Sequence, residues 1–437
     1  MVDLLVHEST HQKAVRAYEE LGLYVGIVSH EDALDDGMPV SNERGDIILF
    51  FSGETFFDPA VEYDLITNGH SFKQGSASFL VHLYEEKEDA FFQDLNGWFC
   101  GVLIDRRQKR TFLFNDRYGM KRLYFSERRG RFRFSTEAKA LLHTEKKGQC
   151  FDEQGLIERI ACGCPLENRS LFKGISLLPG GSKWLIKDKS VFKKLKYFDF
   201  SSWESQKALS ETVFYPKLRD TVIRILPRYM RPEQTVAMSL TGGFDTRIIM
   251  ACADLEPRQI LCYTFNGMYH DCYDVVVARE IASICGQEHR TITMDDIFLK
   301  EFRRYAEKTV WISEGMIDLS AAADLYMNEI VKEFSQVRLT GNYGSEVLRR
   351  SRLLGNVSYP SIIANPGLQN SIIQVKDLID HLYRKHALTY TLLYEGPWHE
   401  YGRYSVESSQ LVQRTPYTDN DLISLMYQAP PQATTDK

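Results

Sequence analysis

Hydrophobic positions follow different patterns in the two halves of the chain. Up to about residue 200, short runs of β-branched and aromatic residues are broken by Gly, Asp, Asn and basic turns, a pattern typical of a β-rich domain. Within this half, a hairpin with its turn near Arg129 and Gly130 is predicted. The predicted strands cover residues 45–53, 98–105, 110–116, 122–136 and 182–188.

After about residue 205 the pattern changes to alternating strands and helices. This alternation predicts a mostly parallel sheet with helices on both faces. Residues 196–212 are the predicted linker, which divides the chain into domains at 1–204 and 205–437. The predicted strands are 234–240, 260–265, 289–294 and 336–340, and the predicted helices are 244–255, 274–286, 298–310 and 318–334.

Composition narrows the class of protein. The chain has 437 residues, 43% of them hydrophobic and 26% charged, which is ordinary for a globular protein. A net charge of -6 argues against a nucleic-acid or membrane-surface binder. No apolar run approaches the roughly 20 residues that span a bilayer. The eight cysteines are expected to be free thiols in a reducing cytoplasm, and Cys162 and Cys164 lie too close for a zinc knuckle.

The segment SLTGGFDTR (239–247) carries the clearest candidate chemistry. It follows a buried strand and opens a helix, so its paired glycines let the backbone approach an anion at a helix N-terminus. Thr241 and Thr246 add hydroxyl donors, and Asp245 could hold a metal that bridges phosphates. The segment is neither a Walker A motif nor a dinucleotide-binding glycine motif.

SLTGGFDTR resembles the SGGxDS pyrophosphate loop of the ATP-pyrophosphatase superfamily, with both serines replaced by threonine. Three further segments, at 263–289, 339–348 and 415–425, resemble segments of the asparagine synthetase family in the same order. The resemblance therefore implies a doubly wound parallel sheet of the adenine nucleotide α-hydrolase type over 205–437.

The chemistry implied by the resemblance is activation of a carboxylate by ATP as an acyl-adenylate, followed by amide formation with release of AMP. Mg²⁺ would neutralise the phosphates. Asp245 and Glu346 are the expected catalytic and metal-binding acids. The residues expected at the nucleotide are Met238, Leu240, Thr241, Gly242, Gly243, Asp245, Thr246, Thr264, Phe265 and Gly341.

LTGNYGSEVL (339–348) departs from the family's SGEGxDEL segment. Without a gap, Asn342 replaces the first Glu and Ser345 the Asp. With one inserted residue, Gly344, Ser345 and Glu346 replace G-S-D, as in the β-lactam synthetases. Either alignment puts aspartate in doubt as the substrate. A further expectation is that the family's adenylate-stabilising lysine is absent or that the chain is a fragment. Glu346 could also be a capping carboxylate in an early helix turn.

The first half resembles glutamine amidotransferases with an N-terminal nucleophile. FFSGETFFD (50–58) is similar to the NGEIYN segment, and residues 78–125, 135–142 and 177–181 continue the likeness. The fold implied is an α+β Ntn-hydrolase-like β-sandwich with helices. The chain begins Met-Val-Asp and its first cysteine is Cys100, while Ser52 and Ser76 replace the family's Asn and Asp. The sequence therefore predicts that this domain does not hydrolyse glutamine.

Three interpretations remain open: a glutamine-independent amide ligase, a degenerate homologue that binds nucleotide or a partner without turnover, and an asparagine synthetase that uses ammonia. The expected cofactors are ATP and Mg²⁺. The expected ligands are a small-molecule or peptide carboxylate and an amine or ammonia donor. Nucleic acid and membranes are not expected partners, and a homodimer is one assembly that the sequence leaves open.

Overall fold

The computed structural model describes residues 1–29, 38–73, 76–128, 130–144, 150–187, 189–231, 234–352 and 366–434, with backbone alone for 366–369. The chain divides into two compact units. The first contains residues 1–200 and 353–399, and the second contains 201–352 and 400–437. The described residues 366–399, which the sequence pattern assigns to the second domain, therefore group with the first unit.

The elements follow in chain order. Residues 1–200 contain β1 (Gln12–Tyr18), β2 (Leu23–Ser29), β3 (Val40–Ser41), β4 (Ile47–Thr55), α1 (Ala60–Thr67), α2 (Phe79–Lys87), α3 (Phe91–Asp94), β5 (Gly97–Asp105), β6 (Arg110–Asn115), β7 (Tyr124–Arg128), β8 (Arg131–Ser135), α4 (Ala138–Leu142), α5 (Glu153–Cys162), β9 (Ser176–Leu177), β10 (Lys183–Lys187) and β11 (Ser190–Lys193). Residues 201–352 contain α6 (Ser201–Glu204), α7 (Glu211–Ile225), β12 (Val236–Ser239), α8 (Phe244–Cys252), β13 (Leu261–Asn266), α9 (Tyr273–Ile284), β14 (Glu288–Thr293), α10 (Asp296–Ser313), α11 (Ala321–Val331), β15 (Val337–Leu339) and α12 (Gly344–Arg349).

Beyond residue 365 the elements are α13 (Pro366–Tyr383), α14 (Ala387–Tyr390), a π-helical segment (Thr391–His399), α15 (Tyr401–Ser408), β16 (Val412–Arg414) and α16 (Asn420–Met426). Short 3₁₀ helices lie at Val2–Leu5, Glu19–Leu21, Glu88–Ala90, Leu226–Tyr229, Pro416–Thr418 and Pro431–Thr434. None of the helices in the described ranges is both long and apolar enough to cross a bilayer.

The first unit is a β-sandwich in which α2 and α3 pack on the larger sheet and α4 packs on the smaller one. An antiparallel sheet in the order β11-β10-β6-β5-β4-β3 is its centre. Because side chains alternate along a strand, Leu49 and Phe51 pack with α2 while Ile48 and Phe50 point to the other face. That second face packs against the small sheet β8-β7-β9, where the Phe125 and Trp184 rings lie 4.9 Å apart.

The second unit is built on a five-stranded sheet in the order β14-β13-β12-β15-β16, and every neighbouring pair is parallel. One face packs against α10, α11 and α15 through a cluster that includes Ala237, Tyr263 and Leu325. α9 packs on β13 and β14, and α7 contacts α8 and α16. The predicted parallel sheet is confirmed.

The sequence located six of the eleven strands that the structure describes in residues 1–200, and it missed β1, β2, β3, β9 and β11. The predicted strands at 45–53, 98–105 and 110–116 are β4, β5 and β6. The predicted hairpin over 122–136 is β7 and β8, which pair from Tyr124–Ser135 to Arg128–Arg131. Two predicted positions, Arg129 in the turn and residue 188 at a strand end, lie outside the described residues.

Candidate active site

The candidate phosphate loop, residues 240–243, lies at the carboxyl end of β12. Its strand neighbours are β13 on one side and β15 on the other. The chain leaves β12 toward β13 and leaves β15 in the opposite direction, toward β16. Ligands of open parallel sheets bind at such a switch point, outside the carboxyl ends of the strands. The loop is anchored there because the Leu240 amide donates to the Tyr263 carbonyl at 2.9 Å.

Two threonine hydroxyls hold the loop in shape. The Thr246 hydroxyl accepts from the Thr241 amide at 3.2 Å, and the Thr241 hydroxyl accepts from the Gly243 amide at 3.2 Å. The two hydroxyl oxygens lie 3.2 Å apart. A hydroxyl at each position therefore stabilises this turn, and threonine supplies it as serine would.

The backbone of the loop already binds a carboxylate. The Gly242 amide donates to Asp274 Oδ1 at 2.9 Å, and a Cβ on Gly242 would lie 3.1 Å from the same oxygen. Asp274 stands in the first turn of α9. This amide is thus directed at an anionic oxygen beside the N-terminus of α8, where the helix dipole also favours negative charge.

Asp245 joins two segments that are a hundred residues apart. It lies in the first turn of α8, and its Oδ2 accepts from the Ser345 hydroxyl at 2.8 Å. Added Cβ atoms on Gly341 and Gly344 would lie 3.0 and 2.5 Å from its Cβ, so both glycines permit the close approach. The Tyr417 hydroxyl donates to the Asp245 carbonyl at 2.6 Å. The structure therefore brings together the segments 239–247, 339–348 and 415–425.

Glu346 follows Ser345 in the first turn of α12. Tyr343, the residue before this helix, has a φ of 68°, a left-handed conformation that is uncommon outside glycine. Its ring stacks on that of Tyr404 with the centroids 5.6 Å apart, and burial raises its pKa well above the ordinary tyrosine value. A helix-capping role for Glu346 is compatible with this position, as is a role at a metal beside Asp245.

The expected adenosine-flanking residues divide between the two faces of the sheet. The Thr264 hydroxyl donates to the Leu240 carbonyl at 2.7 Å and lies 2.8 Å from His289 Nε2, which ties two strand ends together. Phe265 points to the opposite face and packs against Tyr263 in the cluster under α10 and α11. Leu240 and Met238 are fully buried.

A buried network of charged and polar side chains around β15 was not predicted from the sequence. Arg338 in β15 lies 3.4 Å from Glu407 Oε1. It donates to Asn328 Oδ1 and Ser239 Oγ, both at 3.3 Å, and its guanidinium lies 5.2 Å from the centre of the Phe265 ring. The available signal was an arginine between apolar neighbours in QVRLT (336–340).

The first unit does not offer Cys100 as a nucleophile. Its side chain is buried in β5, and burial raises the pKa of the thiol to about 12. Ser52 pairs with Cys100 across the strands. Gly53 has a φ of 105°, and an added Cβ would lie 2.1 Å from the Trp98 carbonyl, so this residue serves backbone packing. The Ser76 hydroxyl donates to the Lys73 carbonyl at 2.8 Å.

Comparison with known proteins gives the context of both units. A family model described as a glutamine amidotransferase domain matches residues 26–198, and one described as asparagine synthase matches residues 217–351. The chain belongs to the asparagine synthetase family. It is a divergent member of the family, because the two asparagine synthetases of Bacillus subtilis described below are 24% and 21% identical to it over the aligned residues.

Three curated relatives show how low the sequence identity is. Glutamine-hydrolyzing asparagine synthetase 2 of Bacillus subtilis is 24% identical over 57% of this chain and 34% of its own length. Asparagine synthetase 1 of the same organism is 21% identical over 79% of this chain and 54% of its length. Amidase chyE of Penicillium rubens is 23% identical over 72% of this chain and 48% of its length. The chain thus spans about half, or less, of these relatives.

Among solved structures, the chain is similar to the glutamine phosphoribosylpyrophosphate amidotransferase of B. subtilis complexed with ADP and GMP. The match covers 67% of this chain and 78% of that one, at 11% identity and a TM-score of 0.31. The predicted fold class, an Ntn-hydrolase-like domain followed by a synthetase domain with a parallel sheet, is confirmed by the two family models and the sheet topology.

Proposed function

We propose that this member of the asparagine synthetase family activates a carboxylate with ATP and forms an amide, without hydrolysing glutamine itself. The observation that carries the proposal is the contact of Asp245 with Ser345 at the switch point of the sheet. It brings the segment 339–348, which carries Glu346, to the glycine loop and the helix N-terminus beside Asp245, and transfer of a nucleotidyl group requires donors and acids in one place.

In this proposal the glycine loop binds the pyrophosphate, and acidic residues in the first turns of α8 and α12 bind Mg²⁺. The Gly242 and Gly243 amides and the N-terminus of α8 would bind the pyrophosphate, in the position where Asp274 now accepts a hydrogen bond. Mg²⁺ fits the site chemically because it prefers oxygen ligands. Asp245 offers two such oxygens, of which Ser345 engages one, and Glu346 would supply another. Bound Mg²⁺ would neutralise the phosphate charge.

The amine in this proposal comes from free ammonia or from the substrate itself. The supporting observations are that Ser52 and Ser76 stand where the family has Asn and Asp, and that the thiol of Cys100 is buried with a raised pKa. A nucleophile must be exposed and readily deprotonated to act at neutral pH. The relatives named as amidases indicate that the family is not confined to one amide.

A second candidate is a homologue that binds nucleotide or a partner without turnover. It is favoured by the hydrogen bonds that already occupy the loop. Thr241 and Thr246 bond to the loop's own backbone, and Gly242 bonds to Asp274. It is also favoured by the altered 340–346 segment. The two candidates differ in whether AMP is formed.

The test of the proposed function is nucleotide binding and product analysis of Asp245→Asn beside the wild-type chain. Asn caps a helix about as well as Asp, so the melting temperature without ligand should barely move. Loss of the charge at Mg²⁺ should weaken ATP·Mg²⁺ binding, measured by calorimetry, at least about tenfold, or about 1.4 kcal/mol. Products of turnover should be AMP and pyrophosphate.

The matched control is Asp254→Asn, which removes the same charge from an exposed residue beyond the end of α8. It should bind ATP·Mg²⁺ like the wild type. Equal affinity in Asp245→Asn at saturating Mg²⁺ would leave only the capping role. ADP and orthophosphate as sole products would contradict the proposed reaction, and binding without AMP formation across candidate carboxylates would favour the second candidate.

A separate prediction concerns glutamine. The purified chain should release no glutamate from glutamine above background, because neither Ser52 nor Ser76 can replace the groups that bind glutamine in the family. Glutamate release is measured with a coupled dehydrogenase assay, and Cys150→Ser, which changes an exposed cysteine, is the control. Release that is lost in Cys100→Ala but kept in Cys150→Ser would refute the prediction.

A further inference from the structure

Two histidines and a glutamate meet in the first unit, whereas the residues expected to bind ATP belong to the second. Glu43 lies in the turn before β4, His70 follows α1, and His82 lies within α2. The nearest ligand atoms of the three side chains all lie within 4.8 Å of one another. Their spacing in the sequence, at 43, 70 and 82, gives no recognisable metal-binding motif, so the fold alone creates the cluster.

The distances match those between ligands of one metal ion. His70 Nδ1 and His82 Nδ1 lie 3.2 Å apart. Two imidazole nitrogens at about 2.0–2.1 Å from a tetrahedral zinc ion are separated by about 3.3 Å. Glu43 Oε2 lies 3.7 Å from His82 Nδ1, which a rotation of this half-exposed side chain would close. Two imidazoles and a carboxylate are a common zinc ligand set.

The surroundings also suit a cation. His70 Nε2 lies 3.2 Å from Glu86 Oε1, and a carboxylate on the second ring nitrogen is the usual arrangement for a metal-binding histidine. Glu85 Oε2 lies 3.9 Å from His82 Nδ1. The carboxylates of Glu43, Glu85 and Glu86 therefore lie around two imidazoles, with Arg107 Nη1 3.8 Å from Glu85 Oε1.

Burial fixes the central ligand. The His82 side chain is 3% exposed, and its ring stacks on Phe72 with the centroids 5.4 Å apart and the planes at 27°. The Glu43 carboxylate accepts from the Ser71 amide at 3.3 Å, which orients it toward the loop that carries His70. Ligands held by packing and by backbone bonds lose little entropy when a metal binds.

We propose that Glu43, His70 and His82 bind one Zn²⁺ ion, with the fourth position taken by water or by Glu85. The ion joins the turn before β4, the loop after α1 and the helix α2, so it stabilises the packing of these three segments. The site shares no residue with the expected ATP site, because each of the ligands belongs to the first unit.

The test uses the full chain after removal of metal by a chelator. Zn²⁺ is titrated by calorimetry and the metal content is measured by mass spectrometry. We expect one Zn²⁺ per chain and a higher melting temperature with Zn²⁺ than without it. His70→Ala and Glu43→Gln should each raise the Kd at least about tenfold. The Glu43 side chain is half exposed, so this variant should fold even if changes at His82 do not.

His143→Ala and Cys150→Ser, both at exposed positions of the first unit, are the matched controls and should bind Zn²⁺ like the wild type. Co²⁺ in place of Zn²⁺ should give the visible bands of a tetrahedral nitrogen–oxygen site without thiolate charge transfer. The proposal is overturned by the absence of saturable binding, by unchanged binding in both His70→Ala and Glu43→Gln, or by a thiolate band.

Discussion

Glu407→Gln should lower the free energy of unfolding of the second unit by about 3 kcal/mol, because removing one partner of a buried ion pair leaves the other charge without its closest counter-charge. Arg338 is buried in β15 and lies 3.4 Å from Glu407 Oε1. Its other hydrogen-bond partners, Asn328 and Ser239, are neutral, while the Asp324 carboxylate is a further negative charge that acts on it. Gln keeps the shape of Glu, so the measured loss reports on charge and not on a cavity. Denaturant unfolding followed by circular dichroism measures it.

Two further variants serve as controls for this measurement. Glu307→Gln changes an exposed partner of Arg303 on α10, and its effect should stay below about 0.5 kcal/mol. The double variant Arg338→Met with Glu407→Gln should recover part of the lost stability, because both charges of the ion pair are removed together. A loss in Glu407→Gln no larger than that in Glu307→Gln would show that Arg338 is solvated in solution.

Asp116→Ala should cost the first unit about 4 kcal/mol or more. The Asp116 carboxylate is fully buried after β6. Its Oδ1 accepts from the amides of Tyr118, Gly119 and Met120 at 2.8–3.1 Å, and its Oδ2 accepts from that of Lys121 at 2.9 Å. Each buried donor left without an acceptor costs about 1–3 kcal/mol. Thermal unfolding of the metal-free chain measures the effect.

The comparison for this variant is Asp152→Ala, at the N-cap of α5. Asp152 accepts one amide, that of Gly155 at 2.8 Å, so its loss should cost about 1 kcal/mol. Asp116→Asn should fall between the two, since its amide nitrogen cannot accept from Lys121. Equal losses for Asp116→Ala and Asp152→Ala would mean that water replaces the carboxylate in the turn.

The sequence predicted those parts of the fold that are encoded in consecutive residues. Alternating apolar runs placed β12, α8 and β13 within a few residues, because strand and helix periods differ. The loop 239–247 was identified by its position between a strand and a helix. Glycines at 341 and 344 carried the family's pattern, and the structure shows why they must be small: each faces Asp245.

What the sequence did not predict depends on residues far apart in the chain. The partner of Gly242 is Asp274, and that of Arg338 is Glu407. Neither pair follows from propensity or spacing, since each depends on how helices lie on the sheet. The replacement of Asp by Ser345 looked like a loss in the sequence. In the structure this hydroxyl donates to Asp245 and takes part in the site.

The hydrogen bonds of Arg122 have a consequence for the folding of the first unit during synthesis. This buried guanidinium donates to the carbonyls of Pro397 and Trp398 at 2.8–2.9 Å, and α13 packs on α5. During synthesis, residues 1–200 leave the ribosome well before residues 366–399, with which they pack, have been translated. The first unit can be completed only after the chain to residue 399 has emerged, by which time most of the second unit has been translated. Folding intermediates in which α13 does not yet cover α5 should therefore be the species that chaperones bind.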